Sequence, residues 1–442
     1  MFSIIRQPNK NKSSFHRYRA GRPPFLLIFE TALSLLFLVT SSAFVAILPH
    51  AFADGGMVDA NTKSSKIMAC SSNFTHCGWI DDGGNSVSIM TMDEARSELF
   101  NYLSDNRMPY DVPIAKTLGY ISDVGNVREI ELGEGQNIQP ISRILNEGQH
   151  AAVDGLSDGI VNQTIFYSLQ VKAIYPWTDN IPKSIYMEYV VPYAVVNEPR
   201  TDHRPLLFHA LRDTLKDYER RPNDDSNGDS TVHIEQISSQ PQEQIKAAVK
   251  LINTRLWSIL GRGSNSNNIK AIAFQAGLTP RIYDPLSVIA YGHSSCTGLA
   301  ILFIAALRSV GIPSRLAGTP AWNDYPEEGN HSWVEVYIPG KKAAGVDGEW
   351  IFLEPTPGIA EGEENTSNAD DLDRDACDRW FCNAEHFDGK TRVFATGYTK
   401  QEDDVTMKTH FPMAWSDVEE DTGVPGEDRS EYYTSICGQC LH

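Results

Sequence analysis

The chain has 442 residues, 41% of them hydrophobic, and a formal net charge of −19. That is enough material for one enlarged domain or for two to three ordinary ones. Residues 1–53 carry six Lys or Arg and one acid, Glu30, which leaves 32 basic and 56 acidic residues beyond them. A surface this acidic repels polyanions and excludes nucleic acid as a partner.

In chain order, residues 1–23 form a basic leader with Arg6, Lys10, Lys12, Arg17, Arg19 and Arg22. Phe25-Leu26-Leu27-Ile28-Phe29 and the uncharged run 31–48 follow. A basic flank before an apolar run reads as a signal peptide or a type II signal anchor over 24–53. Ala51-Phe52-Ala53 fits cleavage, whereas the long basic flank fits an anchor. Either way the expected placement is the secretory pathway. The product is then secreted, or is a single-pass type II protein with 54–442 lumenal or extracellular and membrane contact through residues 25–48. Asn73, Asn162, Asn330 and Asn365 each head a glycosylation sequon. Residues 54–150 read as an N-terminal extension, irregular over 54–90. An amphipathic helix then runs from Met92 to Leu103, capped by Thr91 or Asp93. β-Branched and aromatic content predicts strands at Thr164–Val171 and Ile185–Tyr193. Helices are predicted from Arg204 to Tyr218, with Pro205 in the first turn, from Pro241 to Leu260, and over Pro285–Ala290.

The chemistry concentrates after that. Cys296 heads an apolar run, at helical spacing to Val310, that stops at Gly311-Ile312-Pro313. Ser295 is positioned as its N-cap, so Cys296 falls in the first turn, where free N–H groups and the helix dipole favour a thiolate. His331–Ile338 reads as a strand, and so does Trp350–Glu354, joined to it by a polar hairpin. Antiparallel pairing with 335 opposite 350 sets 331 opposite 354, so His331 and Glu354 meet on one sheet face. A nucleophile, a base and an orienting carboxylate then occur in the order Cys296, His331, Glu354. Trp333 and Tyr337 share the His331 face.

Gly-Ile-Pro after a Cys-headed helix, then His-Ser-Trp-Val-Glu-Val-Tyr, then Trp-Ile-Phe-Leu-Glu-Pro-Thr-Pro, resembles the core of the transglutaminase-like superfamily over about residues 283–358. The resemblance implies an α+β, papain-like core with the nucleophile at the start of a buried helix packed on an antiparallel sheet, preceded by a helical and strand extension. It implies a catalytic domain over about 160–400, with 401–442 left as an acidic tail. Glu354 stands where most members carry Asp, and one more methylene serves the same orienting role. Trp322 is a candidate oxyanion donor, the role a tryptophan has in true transglutaminases. His293, three residues before the thiol, is a loop residue near the site, and alone it provides too few ligands for a metal. The implied activity is acyl transfer or hydrolysis on a peptide or protein carboxamide, with no cofactor and no metal. The alternative is a catalytically silent binding module that keeps the fold.

Seven cysteines leave one odd thiol if six pair in an oxidising compartment, and Cys296 stands apart in spacing from the others. Asp371, Asp373 and Asp375 imitate the start of a calcium loop, but Ala376 and Cys382 stand where the loop needs Gly and Glu. The run is therefore read as an acidic loop. Thr391–Thr396 is a further strand candidate, and the tail from Gln401 is expected to be loosely ordered. Its Cys437-Gly438-Gln439-Cys440 lacks the βα context of a redox motif.

Overall fold

The computed structural model describes residues 76–81, 87–106, 158–220, 241–261, 271–277, 282–340, 348–357, 390–398, 409–412 and 424–438. The leader, the acidic run at 361–378 and Cys440 lie outside them. Among the described residues no helix is long and apolar enough to cross a membrane.

Part of the segment expected to be irregular is a hairpin. Strand β1 (His76–Ile80) pairs antiparallel with β2 (Val87–Thr91), with His76 opposite Thr91 and Ile80 opposite Val87. Trp79 is 1% exposed, and this burial holds a strand too short and mixed to show in periodicity. Helix α1 (Met92–Asp105) starts at a capping box: Glu94 N–H donates to Thr91 Oγ1 at 3.3 Å, and Thr91 N–H donates to the Glu94 carboxylate at 2.8 Å.

Two predicted strands are helices. Thr164–Val171 lies inside α2 (Asp158–Ile174), and Ile185–Tyr189 lies in α3 (Lys183–Tyr189). In α2 the exposed positions are 159, 162, 163 and 166, a helical spacing, and most of the remainder is buried. A helix covered on most of its circumference has few polar positions to mark its period, so its β-branched and aromatic residues imitate a buried strand.

Residues 190–203 are irregular yet almost wholly buried, so their backbone polar groups need partners from elsewhere. Arg204, at the start of α4 (Arg204–Leu215), donates to the carbonyls of Val190 (2.8 Å), Val191 (3.3 Å) and Pro192 (2.8 Å). Arg308 donates to Ala194 O at 2.8 Å, and Glu198 accepts the N–H groups of Val195 and Val196 at 2.7 and 2.8 Å. Buried charges stand in here for a strand neighbour. The 3₁₀ turn Lys216–Tyr218 closes α4, and α5 (Pro241–Ile259) follows as predicted.

Strand β3 (Ala273–Phe274) pairs in parallel with β4 (His293–Ser294), and α6 (Pro285–Tyr291) connects them. Helix α7 (Cys296–Arg308) comes next, with every residue after Cys296 buried. Trp257 of α5 stacks on Phe303 of α7 at 5.9 Å between ring centroids. Gly311, at φ 79°, ends the helix, because only glycine adopts that backbone without a Cβ penalty. Then come β5 (Ser314–Thr319), β6 (His331–Ile338), β7 (Glu349–Leu353), β8 (Phe394–Thr396), β9 (Thr409–His410), β10 (Pro425–Asp428) and α8 (Ser430–Gly438). The sheet order is β7-β6-β5-β8-β10-β9, all antiparallel. Helix α7 packs on β5 and β6, so the sheet backs the Cys296 helix.

Two expectations change at this sheet. The β6–β7 register is Glu335 opposite Phe352 and Val334 opposite Leu353, two residues from the predicted pairing of 335 with 350. A shift of two keeps every side chain on its face, so the shared face of His331 and Glu354 survives the error. The segment beyond Gln401 is more than a loose tail: its β9 and β10 extend the sheet, and its α8 packs on the sheet face that carries Trp333 and Phe352, with Tyr433 1% exposed. Long-range pairing sets that order, and local composition carries no trace of it.

Candidate active site

Ser295 occupies the N-cap of α7 with extended backbone (φ −70°, ψ 173°), and its carbonyl accepts Leu299 N–H at 3.1 Å. The expected side-chain cap is absent: Ser295 makes no side-chain capping hydrogen bond. What fixes the helix start is close packing. A Cβ on Gly298 would overlap Ser294 Oγ and come within 2.6 Å of the Ile282 carbonyl, so this turn sits directly against the chain entering the site. Ser294 Oγ donates to that same carbonyl. Cys296 therefore stands in the first turn of a buried helix, at the positive end of its dipole.

His331 opens β6, and Glu354 follows the last residue of β7. Both Glu354 carboxylate oxygens lie within hydrogen-bond range of His331 Nε2, at 3.0 and 3.1 Å. That contact takes one ring nitrogen and leaves Nδ1 for the thiol. His331 and the Ser332 N–H lie close enough to the Cys296 sulfur to act on its protonation. Thr297 Oγ1 lies 4.0 Å from the sulfur and 3.2 Å from Ser332 Oγ. The His331 and Glu354 side chains are 12% and 22% exposed, so the pair is sheltered but reachable.

Burial pushes the Cys296 thiol up, but the hydrogen bond and charge of His331, with Ser332 N–H, outweigh it and bring the thiol below its ordinary value. Burial pushes His331 down, but the Glu354 charge and the bonds to Cys296 and Glu354 push it up to about 10. The opposite shifts favour a thiolate beside an imidazolium.

Trp322 is 4% exposed and stacks on His331 with centroids 6.3 Å apart and planes at 26°. Trp333 approaches the same imidazole at 5.9 Å and lies nearly parallel to Trp322. Indole faces beside the ring fix its plane and suit its cationic form. The loop that carries Trp322 holds Asn323 and Asp324 at φ 54° and 61°, unusual for non-glycine residues. Trp322 N–H to Gly329 O (3.0 Å), Asn323 N–H to Thr391 Oγ1 (2.7 Å) and Asn323 Nδ2–H to Glu328 (3.0 Å) hold that backbone in place. His293 lies on β4 with its ring against Tyr291.

Sequence reasoning missed a second buried cluster on the His331 face. Glu335 is fully buried and accepts Arg315 Nε–H (2.7 Å), Arg429 Nε–H (3.2 Å) and Tyr433 O–H (2.9 Å). Tyr433 in turn accepts Trp333 Nε1–H at 2.9 Å. This ties α8 to the tryptophan beside the base. The only sequence signal was alternation: 331, 333 and 335 share a face, and a charge at 335 between apolar neighbours requires a partner. Cys77 and Cys437 each take part in a disulfide, and Cys296 is the free cysteine among the described residues.

The family model of the transglutaminase-like superfamily matches residues 236–355. The matched segment begins at α5, well before the stretch that carries the resemblance in sequence, and it contains Cys296, His331 and Glu354. No curated protein and no solved structure matches the chain.

Proposed function

We propose that the chain is a cysteine-dependent acyltransferase or hydrolase acting on a peptide or protein carboxamide, a reading supported by the transglutaminase-like match over 236–355 and by the Glu354–His331 bond beside Cys296. The observation that carries this reading is His331 standing between the Cys296 thiol and both oxygens of Glu354. The Cys296 thiolate attacks the carbonyl carbon and forms the C–S bond. The His331 imidazolium gives its proton to the departing nitrogen as the C–N bond breaks, which leaves a thioester and a neutral imidazole. Water or an amine then attacks the thioester, His331 takes its proton, and the thiolate departs. Glu354 holds the ring and balances its charge throughout. The finer fold reading, a papain-like placement of the nucleophile helix against an antiparallel sheet, belongs to the same proposal. So does a lumenal or extracellular location, which rests on the basic and apolar leader.

The test is iodoacetamide labelling of the full chain at pH 6 with mass-spectrometric mapping, wild type beside His331→Ala. Rapid labelling of Cys296 that collapses in the variant supports the pair. Slow, equal labelling in both overturns it. Amine-donor incorporation and ammonia release from glutamine peptides then separate transfer from hydrolysis.

A further inference from the structure

The sheet stops short of the acid it presents. The last ladder pair of β7 is Leu353 with Val334, and Glu354 comes after it, followed by Pro355, which has no N–H to donate. A carboxylate on an unladdered backbone needs another restraint if it is to meet His331 in one geometry.

That restraint comes from α5. Asn253 is fully buried, and its carboxamide spans the Glu354 segment: Nδ2–H donates to Glu354 O at 3.1 Å, and Oδ1 accepts Thr356 N–H at 3.0 Å. Bonding the carbonyl of one residue and the N–H two residues on is the pattern a parallel strand neighbour makes, so one side chain continues the sheet by a residue pair. Asn253 is itself fixed. Its carbonyl accepts Trp257 Nε1–H at 2.7 Å, and Trp257 stacks on Phe303 of the Cys296 helix. The same helix turn thus sets the backbone of the acid and packs against the helix of the thiol.

We propose that Asn253 is a positioning residue for the reaction: by bonding Glu354 O and Thr356 N–H it holds the Glu354 carboxylate on His331 Nε2. The inference rests on the Cys296–His331–Glu354 reading. The side-chain hydrogen bonds of Asn253 go to the Glu354 and Thr356 backbone, and it acts through that backbone. The charged groups that act on His331 are Glu354 and Cys296, so a displaced Glu354 must register in the proton affinity of the ring.

The experiment follows the His331 imidazole through its titration by NMR in the full chain labelled with carbon-13 histidine. The signal is assigned by its loss in His331→Gln. Wild type, Glu354→Ala, Asn253→Ala, Thr356→Pro and the double variant Asn253→Ala/Glu354→Ala are compared, each with a melting curve. Thr356→Pro removes the N–H that Asn253 accepts without opening a hole in the core, and it decides the matter if Asn253→Ala does not fold. The expected result is a wild-type midpoint well above that of free histidine. It falls by about one to three pH units in Glu354→Ala and by about half a unit to one in Asn253→Ala and Thr356→Pro. Asn253→Ala causes no further fall once Glu354 is gone. Lower melting temperatures with an unmoved midpoint, while Glu354→Ala still shifts it, overturn the positioning role and leave the site reading intact. An ordinary wild-type midpoint that Glu354→Ala leaves unchanged overturns the site reading, and the role of Asn253 with it.

Discussion

Glu354 bonds His331 from a backbone position that is not opposite it. Leu353 pairs with Val334, so the next residue continues toward Trp333, yet the Glu354 carboxylate reaches His331 Nε2 at 3.0 and 3.1 Å. The contact runs diagonally across the strand pair, which a long side chain can span and a short one cannot. A glutamate, rather than the aspartate common at this position in the resembling family, follows from the reach required.

Shortening that reach is the direct check. Glu354→Asp withdraws the carboxylate by one methylene while keeping its charge. The expected outcome is a fall of about 10- to 100-fold in kcat/KM with whichever carboxamide substrate is found, because an ångström of misplacement in an orienting group costs on that scale. Wild-type activity in Glu354→Asp would mean that the diagonal contact does not matter.

The pH profile follows from the opposed shifts of thiol and imidazole. Cys296 lies below its ordinary value, and His331 is pushed up to about 10. Activity should rise on the acid side as the thiol ionises below the range of a free cysteine. It should fall on the alkaline side as His331 loses the proton that the leaving nitrogen needs, near pH 10. Initial rates from pH 4 to 11 test both limbs. A single rise centred on the pH of an ordinary thiol would contradict the pairing.

Gly298 is the structural test of the helix start. An added Cβ overlaps Ser294 Oγ and lies 2.6 Å from Ile282 O, a backbone atom that cannot swing aside. Gly298→Ala should destabilise the fold by about 1–3 kcal/mol and slow Cys296 alkylation, since the first turn must move. Denaturant melts and labelling rates measured on one sample show whether the two effects travel together.

The cluster around Glu335 separates stability from chemistry. Tyr433→Phe removes one donor to Glu335 and the acceptor of Trp333 Nε1–H, at an expected cost of about 1–3 kcal/mol. Glu335→Ala strips a buried carboxylate from Arg315, whose side chain is 1% exposed, and should cost about 3–5 kcal/mol. Because Trp333 lies beside the imidazole, Tyr433→Phe should also lower kcat by a few-fold. A melting shift with unchanged kcat would confine the cluster to a structural role.

Sequence by itself determined the elements whose evidence is local. The helix from Cys296 shows in its apolar run and its Gly-Ile-Pro stop, and the strand from His331 in its β-branched and aromatic content. The shared face of His331 and Glu354 survives even a register two residues off, because side chains repeat every two residues along a strand. Tertiary structure decided what depends on distant partners. Thr164–Val171 became helix because burial on most sides erases the polar marks of its period. The segment past Gln401 became sheet because β8 and β9 pair with β10. Asn253 gained its place at Glu354, about a hundred residues away, through helix packing alone. The division follows from the range of the forces: backbone periodicity is written in neighbouring residues, whereas hydrogen bonds between elements exist only once the chain has brought them together.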